Sequence, residues 1–288
     1  MRQRRGRAQK AHRDAKQNQS DRFLYDRIVG DTAERILDVN RSFPHVLLLG
    51  DTDLTRALAN LLGDKFGFCV FADHSHYSGA NVSCEVICDE EHLPFRAGSF
   101  DLVVNLLSLH GVNHVPQVLA QFKTLLKPDG LMMCCAFGGQ TLSALRSVFY
   151  EAEDMLYGRV SPRISSMIRL DQATALLQGA GYTLPVTDRD LVRVSYRALH
   201  TLYQDLRAMG ETNVLTARAP FPVSRRFFEL VELIYKRDQS NEAGKFIAQF
   251  EILWLTGWAP HPSQQKPLKP GSAKTSLADA LGVSETKL

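Results

Sequence analysis

The run Val46-Leu47-Leu48-Leu49-Gly50, followed at once by Asp51-Thr52-Asp53-Leu54, decides the fold. From His45 to Gly50 the residues read as one strand, and its unbroken apolar character, rather than an alternating one, marks a strand covered on both faces. Asp53 can cap a helix whose Leu54, Ala57, Leu58, Leu61 and Leu62 recur at three- and four-residue spacing. Strand, tight turn and helix open an α/β unit.

Working outward, the alternation repeats. Short apolar strands are predicted at Phe68–Phe71, stopped by Ala72-Asp73, at Glu85–Cys88, stopped by Asp89, and at Phe100–Leu106. Val115, Val118, Leu119, Phe122, Leu125 and Leu126 trace one helix face, Lys127-Pro128-Asp129-Gly130 reads as a turn, and Leu131–Phe137 is a strand buried on both sides. Strands in this rhythm with helices between them predict an α/β fold with a doubly wound, mainly parallel sheet. Before it, Ser20 is placed to cap a leading helix that carries Leu24, Ile28, Ile36 and Val39, is weakened at Gly30 and ends at Phe43-Pro44.

After Gly138-Gly139 the character changes. Helices are expected over 141–157, 171–178, 199–209 and 225–236, with an irregular Ser161-Pro162-Arg163 loop, a Gly179-Ala180-Gly181 turn and strand-like segments from Tyr182 to Ser195. Phe246–Trp258, rich in aromatic and β-branched residues, should be a late strand of the same sheet. The expected organisation is a basic arm and leading helix (1–43), an α/β core (44–140), a helical insertion with closing strands of the same domain (141–259) and an extended tail (260–288).

Composition agrees with a folded chain: 288 residues, 44% apolar and 23% charged, exclude bulk disorder. No apolar stretch approaches the roughly 18 residues that span a bilayer, and no apolar core follows the basic start, so neither a membrane helix nor a secretory signal is expected. The five cysteines, Cys69, Cys84, Cys88, Cys134 and Cys135, are odd in number and contain no C-x-x-C pair, which suits thiols in a reducing compartment. Residues 1–16 hold seven Lys or Arg against one acid, leaving a mildly acidic body; such an arm suits an anionic membrane face, an acidic partner, nucleic acid or plain solvation. It lacks the stacking aromatics of a single-strand binder, so no nucleic acid is expected.

Ligands of an open parallel sheet sit beyond the carboxyl ends of the strands at the point where strand order reverses. That rule selects Gly50, Asp51 and Thr52, Asp73, Asp89, Asn105 and Gly138-Gly139. Asp73, after the second strand, fits an acceptor for two ribose hydroxyls, and Asp89, after the third, could meet an adenine amino group. His74 and His76, and His110 and His114, invite a metal reading, but no Glu stands between the second pair to act as base and no metal site is expected. Trp254 and Trp258 share one side of a strand and are assigned to the core.

Taken in order, Val46–Gly50, Phe71-Ala72-Asp73-His74-Ser75, Asp89-Glu90-Glu91-His92-Leu93-Pro94-Phe95, Ser99–Asn105 and Leu126-Lys127-Pro128-Asp129-Gly130 resemble the class I S-adenosylmethionine (SAM) dependent methyltransferases. Ser108-Leu109-His110-Gly111-Val112-Asn113, Phe137-Gly138-Gly139-Gln140-Thr141-Leu142, Met209-Gly210-Glu211-Thr212-Asn213, Leu255-Thr256-Gly257-Trp258 and Pro270-Gly271-Ser272-Ala273 are similar to the branch holding the mitochondrial complex I assembly factor that hydroxylates arginine, and its bacterial relatives. The resemblance spans about residues 1–282, basic start included, so a cleaved transit peptide is not expected. It implies a seven-stranded sheet, SAM as cofactor held at Gly50, Asp51, Asp73, Asp89 and Asn105, and a protein substrate, a complex I subunit, in the bacterial cytoplasm or the mitochondrial matrix; peripheral membrane contact is compatible with it. The neighbouring malonyl carrier-protein methyltransferases of biotin synthesis share a similar Leu255–Trp258 ending.

The departures concentrate in one loop. The family pattern has an acid two residues before the first glycine and then G-x-G-x-G, which lets backbone approach the cofactor; here those places hold Leu48, Gly50, Thr52 and Leu54. Gly111, His114 and Gln140 replace the branch's usual Trp, Asp and Glu. These changes predict weak or lost SAM binding and open a third reading, an inactive relative serving as an assembly chaperone. No catalytic residue is assigned, since methyl transfer needs only proximity and in-line geometry.

Overall fold

The computed structural model describes residues 23–74, 85–219, 222–239, 244–265, 272 and 282. Strands β1 (Phe43–Gly50), β2 (Phe66–Asp73), β3 (Glu85–Ile87), β4 (Phe100–Leu106), β5 (Leu126–Phe137), β6 (Thr183–Tyr196) and β7 (Phe246–Trp258) form one seven-stranded sheet in the order β3-β2-β1-β4-β5-β7-β6. The β3-β2-β1-β4-β5 pairs are parallel, whereas β7 runs antiparallel to both β5 and β6. The expected class, a mainly parallel doubly wound sheet, is the one observed. Strand order reverses between β1 and β4, where Gly50 pairs with Leu106.

Successive residues of the central strands point to opposite faces and both faces are dry. Leu48, Val104, Met133 and Cys135 join one apolar cluster, and Leu47, Leu49, Val103, Met132 and Cys134 the other. Helices α1 (Phe23–Leu37), α2 (Thr52–Leu62), α4 (Ser143–Tyr157), α6 (Leu199–Ala208) and α7 (Arg225–Gln239) bury residues in the first cluster, while α3 (Val115–Leu125) and α5 (Leu170–Gly179) cover the second face. The insertion expected after Gly139 is therefore two helical segments, one on each side of β6. Trp254 is the anchor that joins α1 to the late strand. It is 1% exposed, donates through Nε1 to Thr32 Oγ1 at 3.3 Å and lies 4.2 Å from the Arg35 guanidinium. Trp258 packs half-buried against the same cluster, as expected.

Three local expectations are corrected. Helix α1 runs unbroken through Gly30; a mid-helix glycine costs about 1 kcal/mol, less than is gained by burying Leu24, Ile28 and Ile36 completely. Asp51, not Asp53, caps α2: its Oδ1 accepts from the backbone of Asp53 at 2.9 Å and Leu54 at 3.4 Å, while Asp53 lies in the first turn, where a negative charge suits the helix dipole. The Lys127–Gly130 turn is absorbed into β5 as a bulge, with Asp129 at φ 63° and the register against β4 jumping from Phe100↔Leu126 to Leu102↔Leu131. Cys134 and Cys135 are buried thiols, and Cys69 and Cys88 are half-buried. Ser20, the basic arm, His76, Cys84 and Pro270-Gly271 lie outside the described residues.

Candidate functional site

At the reversal of strand order the chain forms a cleft whose floor is Asp51 and Leu54 from the β1–α2 connection and Leu107, His110 and Gly111 from the segment after β4. Its roof comes from the turn after α6, Met209 to Thr212, held down because Tyr25 of α1 donates its hydroxyl to Met209 O. Leu107 adopts φ 50°, a left-handed conformation that side chains avoid and that gathers at functional sites. Gly50 has φ 115°, and a Cβ there would stand 2.2 Å from Leu106 O, so the first glycine is required by the fold itself.

His110 is a polar side chain buried in this floor whose partner comes from the roof. Its side chain is 6% exposed, its ring sits 5.2 Å from that of Phe137, and Nε2 is 3.1 Å from Glu211 Oε1. A carboxylate can only accept, so Nε2 donates, and Nδ1 is buried with no hydrogen-bond partner among the described residues. An imidazole oriented by a carboxylate is a geometry that takes up or releases a proton. The sequence offers His110 only as half of a candidate metal pair with His114; its partner Glu211 lies 101 positions away, beyond the reach of any local signal.

The predicted cofactor residues are distributed as follows. Asp73 ends β2 and is 4% exposed, with Oδ1 accepting from His74 N at 2.6 Å and Oδ2 from Thr52 Oγ1 at 3.3 Å. Asp89 forms a bridge with His92 and accepts from Glu91 N at 3.0 Å. Asn105 is fully buried and donates to Ser108 Oγ, bracing the turn after β4. Gly138 and Gly139 are packed against Glu251 and Arg169 rather than facing the cleft. The carboxylates nevertheless share one region: burial, then Glu90, Asp89 and Asp73, push the Cys88 thiol up to about 12. His74 pairs with Glu90 at 2.7 Å, and among the described residues no three His, Cys, Asp or Glu side chains converge as a metal site.

Side chains fill the places where this loop departs from the glycine-rich pattern. Thr52, 1% exposed, places a side chain where the family loop has bare backbone, and its hydroxyl donates to Asp73 Oδ2. Leu48 is fully buried in the apolar core and offers no polar atom in place of the usual acid, and Leu54 is 1% exposed. Gly111 lines the cleft without the ring expected there, His114 only precedes α3, and Gln140 is tied to Glu251 and Gln249.

Comparison with known proteins supports the methyltransferase fold. The methyltransferase domain family matches residues 52–134. The arginine-hydroxylase NDUFAF5 of Danio rerio is 35% identical over 263 residues, covering 89% of this chain and 81% of its own length. The Homo sapiens protein is 33% identical over 262 residues, covering 89% and 76%. A malonyl-[acyl-carrier protein] O-methyltransferase of Xylella fastidiosa is 33% identical over 172 residues, but the match covers only 60% of this chain and 56% of the relative. Among solved structures the Bacillus subtilis YcgJ protein superimposes with a TM-score of 0.54 at 12% identity, covering 81% of this chain and 98% of its own.

Proposed function

The chain belongs to the family of the mitochondrial arginine-hydroxylase NDUFAF5, built on the class I SAM-dependent methyltransferase fold, and from that premise we propose that it acts on a protein client in the assembly of respiratory complex I. The observation that carries this reading is the length of the likeness, which runs through the core, the helical insertion and the closing strand, whereas the match to the carrier-protein methyltransferases covers 60% of the chain.

On this reading the client enters at the strand-end cleft, and the roof from Met209 to Thr212 is part of its docking surface. His110, steadied by Glu211, is the group positioned to accept a proton from a client side chain. The Thr52–Asp73 contact supports a role that does not depend on methyl transfer. The compartment that suits this work is the bacterial cytoplasm or, in a eukaryote, the mitochondrial matrix.

The test is affinity capture of the full-length chain from its native cell after in-cell crosslinking, with mass spectrometry of the captured proteins. A complex I subunit crosslinked through residues near the cleft is the expected result. Acyl carrier protein in its place would reassign the chain to the biotin branch, and capture of neither would overturn the client reading.

A further inference from the structure

We propose that the cavity enclosed by α4, α6 and α7 binds a small apolar carboxylic acid through Arg163, Tyr203 and Arg207. The cavity has a volume of about 260 Å3. A void of roughly 150 Å3 lined by apolar side chains holds a benzene ring, so this one has room for a ring and a short acid-bearing chain. Its walls, including Leu142, Leu145, Phe149, Leu206, Phe227 and Phe250, supply the apolar surface. It adjoins the strand-end cleft through Ser165, Glu211 and Thr212 but is a separate chamber within the helical insertion.

The polar groups that line it are unbalanced toward donors. The Arg163 side chain is 14% exposed and its guanidinium lies 4.5 Å from the Phe227 ring; one end donates to Glu153, while Nε is buried with no hydrogen-bond partner among the described residues. The Tyr203 hydroxyl is likewise buried and without a hydrogen-bond partner among the described residues, its ring 6.4 Å from Phe149 and 5.6 Å from Phe228. Burial pushes that phenol well above its ordinary value, so it remains a donor at neutral pH. Arg207 stands exposed at the rim.

The acceptors nearby are already engaged. Glu153 accepts from Arg163, from Ser161 Oγ at 2.8 Å and from Ser161 N; Glu211 accepts from His110; and Asn213 Oδ1 accepts from Leu215 N at 3.0 Å. A cationic ligand would therefore find aromatic faces but no free carboxylate, and would stand against Arg163 and Arg207. A carboxylate finds two unmet donors and a guanidinium at the entrance, a charge-assisted arrangement.

The test is calorimetric titration of the full chain with 3-phenylpropionate, its amide and 3-phenylpropylamine, three probes of one shape and different head charge. Saturable binding of the acid, with the amine at least tenfold weaker, is expected. Tyr203→Phe, which keeps the ring, and Arg207→Gln, at an exposed position, should each weaken the acid about fivefold without moving the melting temperature; the second variant decides if the first fails to fold. No saturable binding of the acid, an amine affinity within tenfold of it, or unchanged affinity in the folded variants would overturn the proposal. Client capture plays no part in this titration, so its failure leaves the client reading standing.

Discussion

Thr52 and Asp73 are joined across the gap between α2 and the end of β2, the threonine hydroxyl donating to the aspartate carboxylate at 3.3 Å with both residues buried. The contact ties the loop that departs from the glycine-rich pattern to the residue best placed to receive a ribose. Opening it for a ligand means desolvating and re-pairing a charged group, and a hydrogen bond to a charge is worth about 1.5–3 kcal/mol. Thr52→Gly combined with Leu54→Gly should therefore raise SAM affinity at least tenfold over the parent chain, measured by equilibrium dialysis with labelled SAM. An unchanged affinity would move the cause of weak binding away from this loop.

Asp51 is a helix cap before it is anything else. Asp51→Ala should cost about 1 kcal/mol and lower the melting temperature by roughly 2–4 °C for a chain of this size. Asp51→Asn, which keeps an acceptor, should restore most of it. Equal melting temperatures for the parent and Asp51→Ala would remove the capping role.

His110 and Glu211 hold the floor of the cleft to its roof. Glu211→Ala leaves a buried imidazole N–H without its acceptor, a loss of about 1–3 kcal/mol, and Glu211→Gln should lose less than half as much because its amide oxygen still accepts. Urea denaturation compares the two. If the client reading is correct, crosslinking yield falls with His110→Ala even where the fold is intact.

Much of this architecture could be read directly from the chain. Val46–Gly50 and Leu131–Phe137 are continuous apolar runs because both sheet faces are covered, and that is a local property visible in order of residues. Gly30 misled because the energy that carries α1 across it is tertiary, the burial of Leu24, Ile28 and Ile36 beneath the sheet. Lys127–Gly130 has true turn chemistry, yet the pairing of Leu126 with Phe100 and of Leu131 with Leu102 carries β5 through it and leaves a bulge. The strand ends at Gly50 and Asp73, and Asp51 in the turn that follows the first, are legible because apolar runs stop there. The His110–Glu211 pair is not, since only the folding of the insertion over β4 brings its members together.

Asp101 supplies a pH dependence. Burial pushes its carboxyl up, but hydrogen bonds from the Lys127 ammonium and from His45 outweigh this and hold it below the ordinary carboxylate value. A group whose folded value is depressed contributes stability that is present above its unfolded value, about 3.9, and lost as pH falls through the lower folded value. The stability gap between parent and Asp101→Asn should thus be widest above about pH 5 and shrink on acidification below pH 4, within roughly 1 kcal/mol for so exposed a network. Denaturation curves at both ends of that window check it; a gap independent of pH would sink the assignment.

Calorimetric titration of the chain with SAM tests most directly the proposal that the cleft keeps the methyltransferase fold without a good seat for the cofactor. No saturable heat up to about millimolar ligand, roughly 4 kcal/mol of binding free energy or less, is the result expected. A one-to-one isotherm with a micromolar Kd would contradict it, showing that Thr52 and Leu54 yield to the cofactor and that the chain retains the methyl donor of its fold.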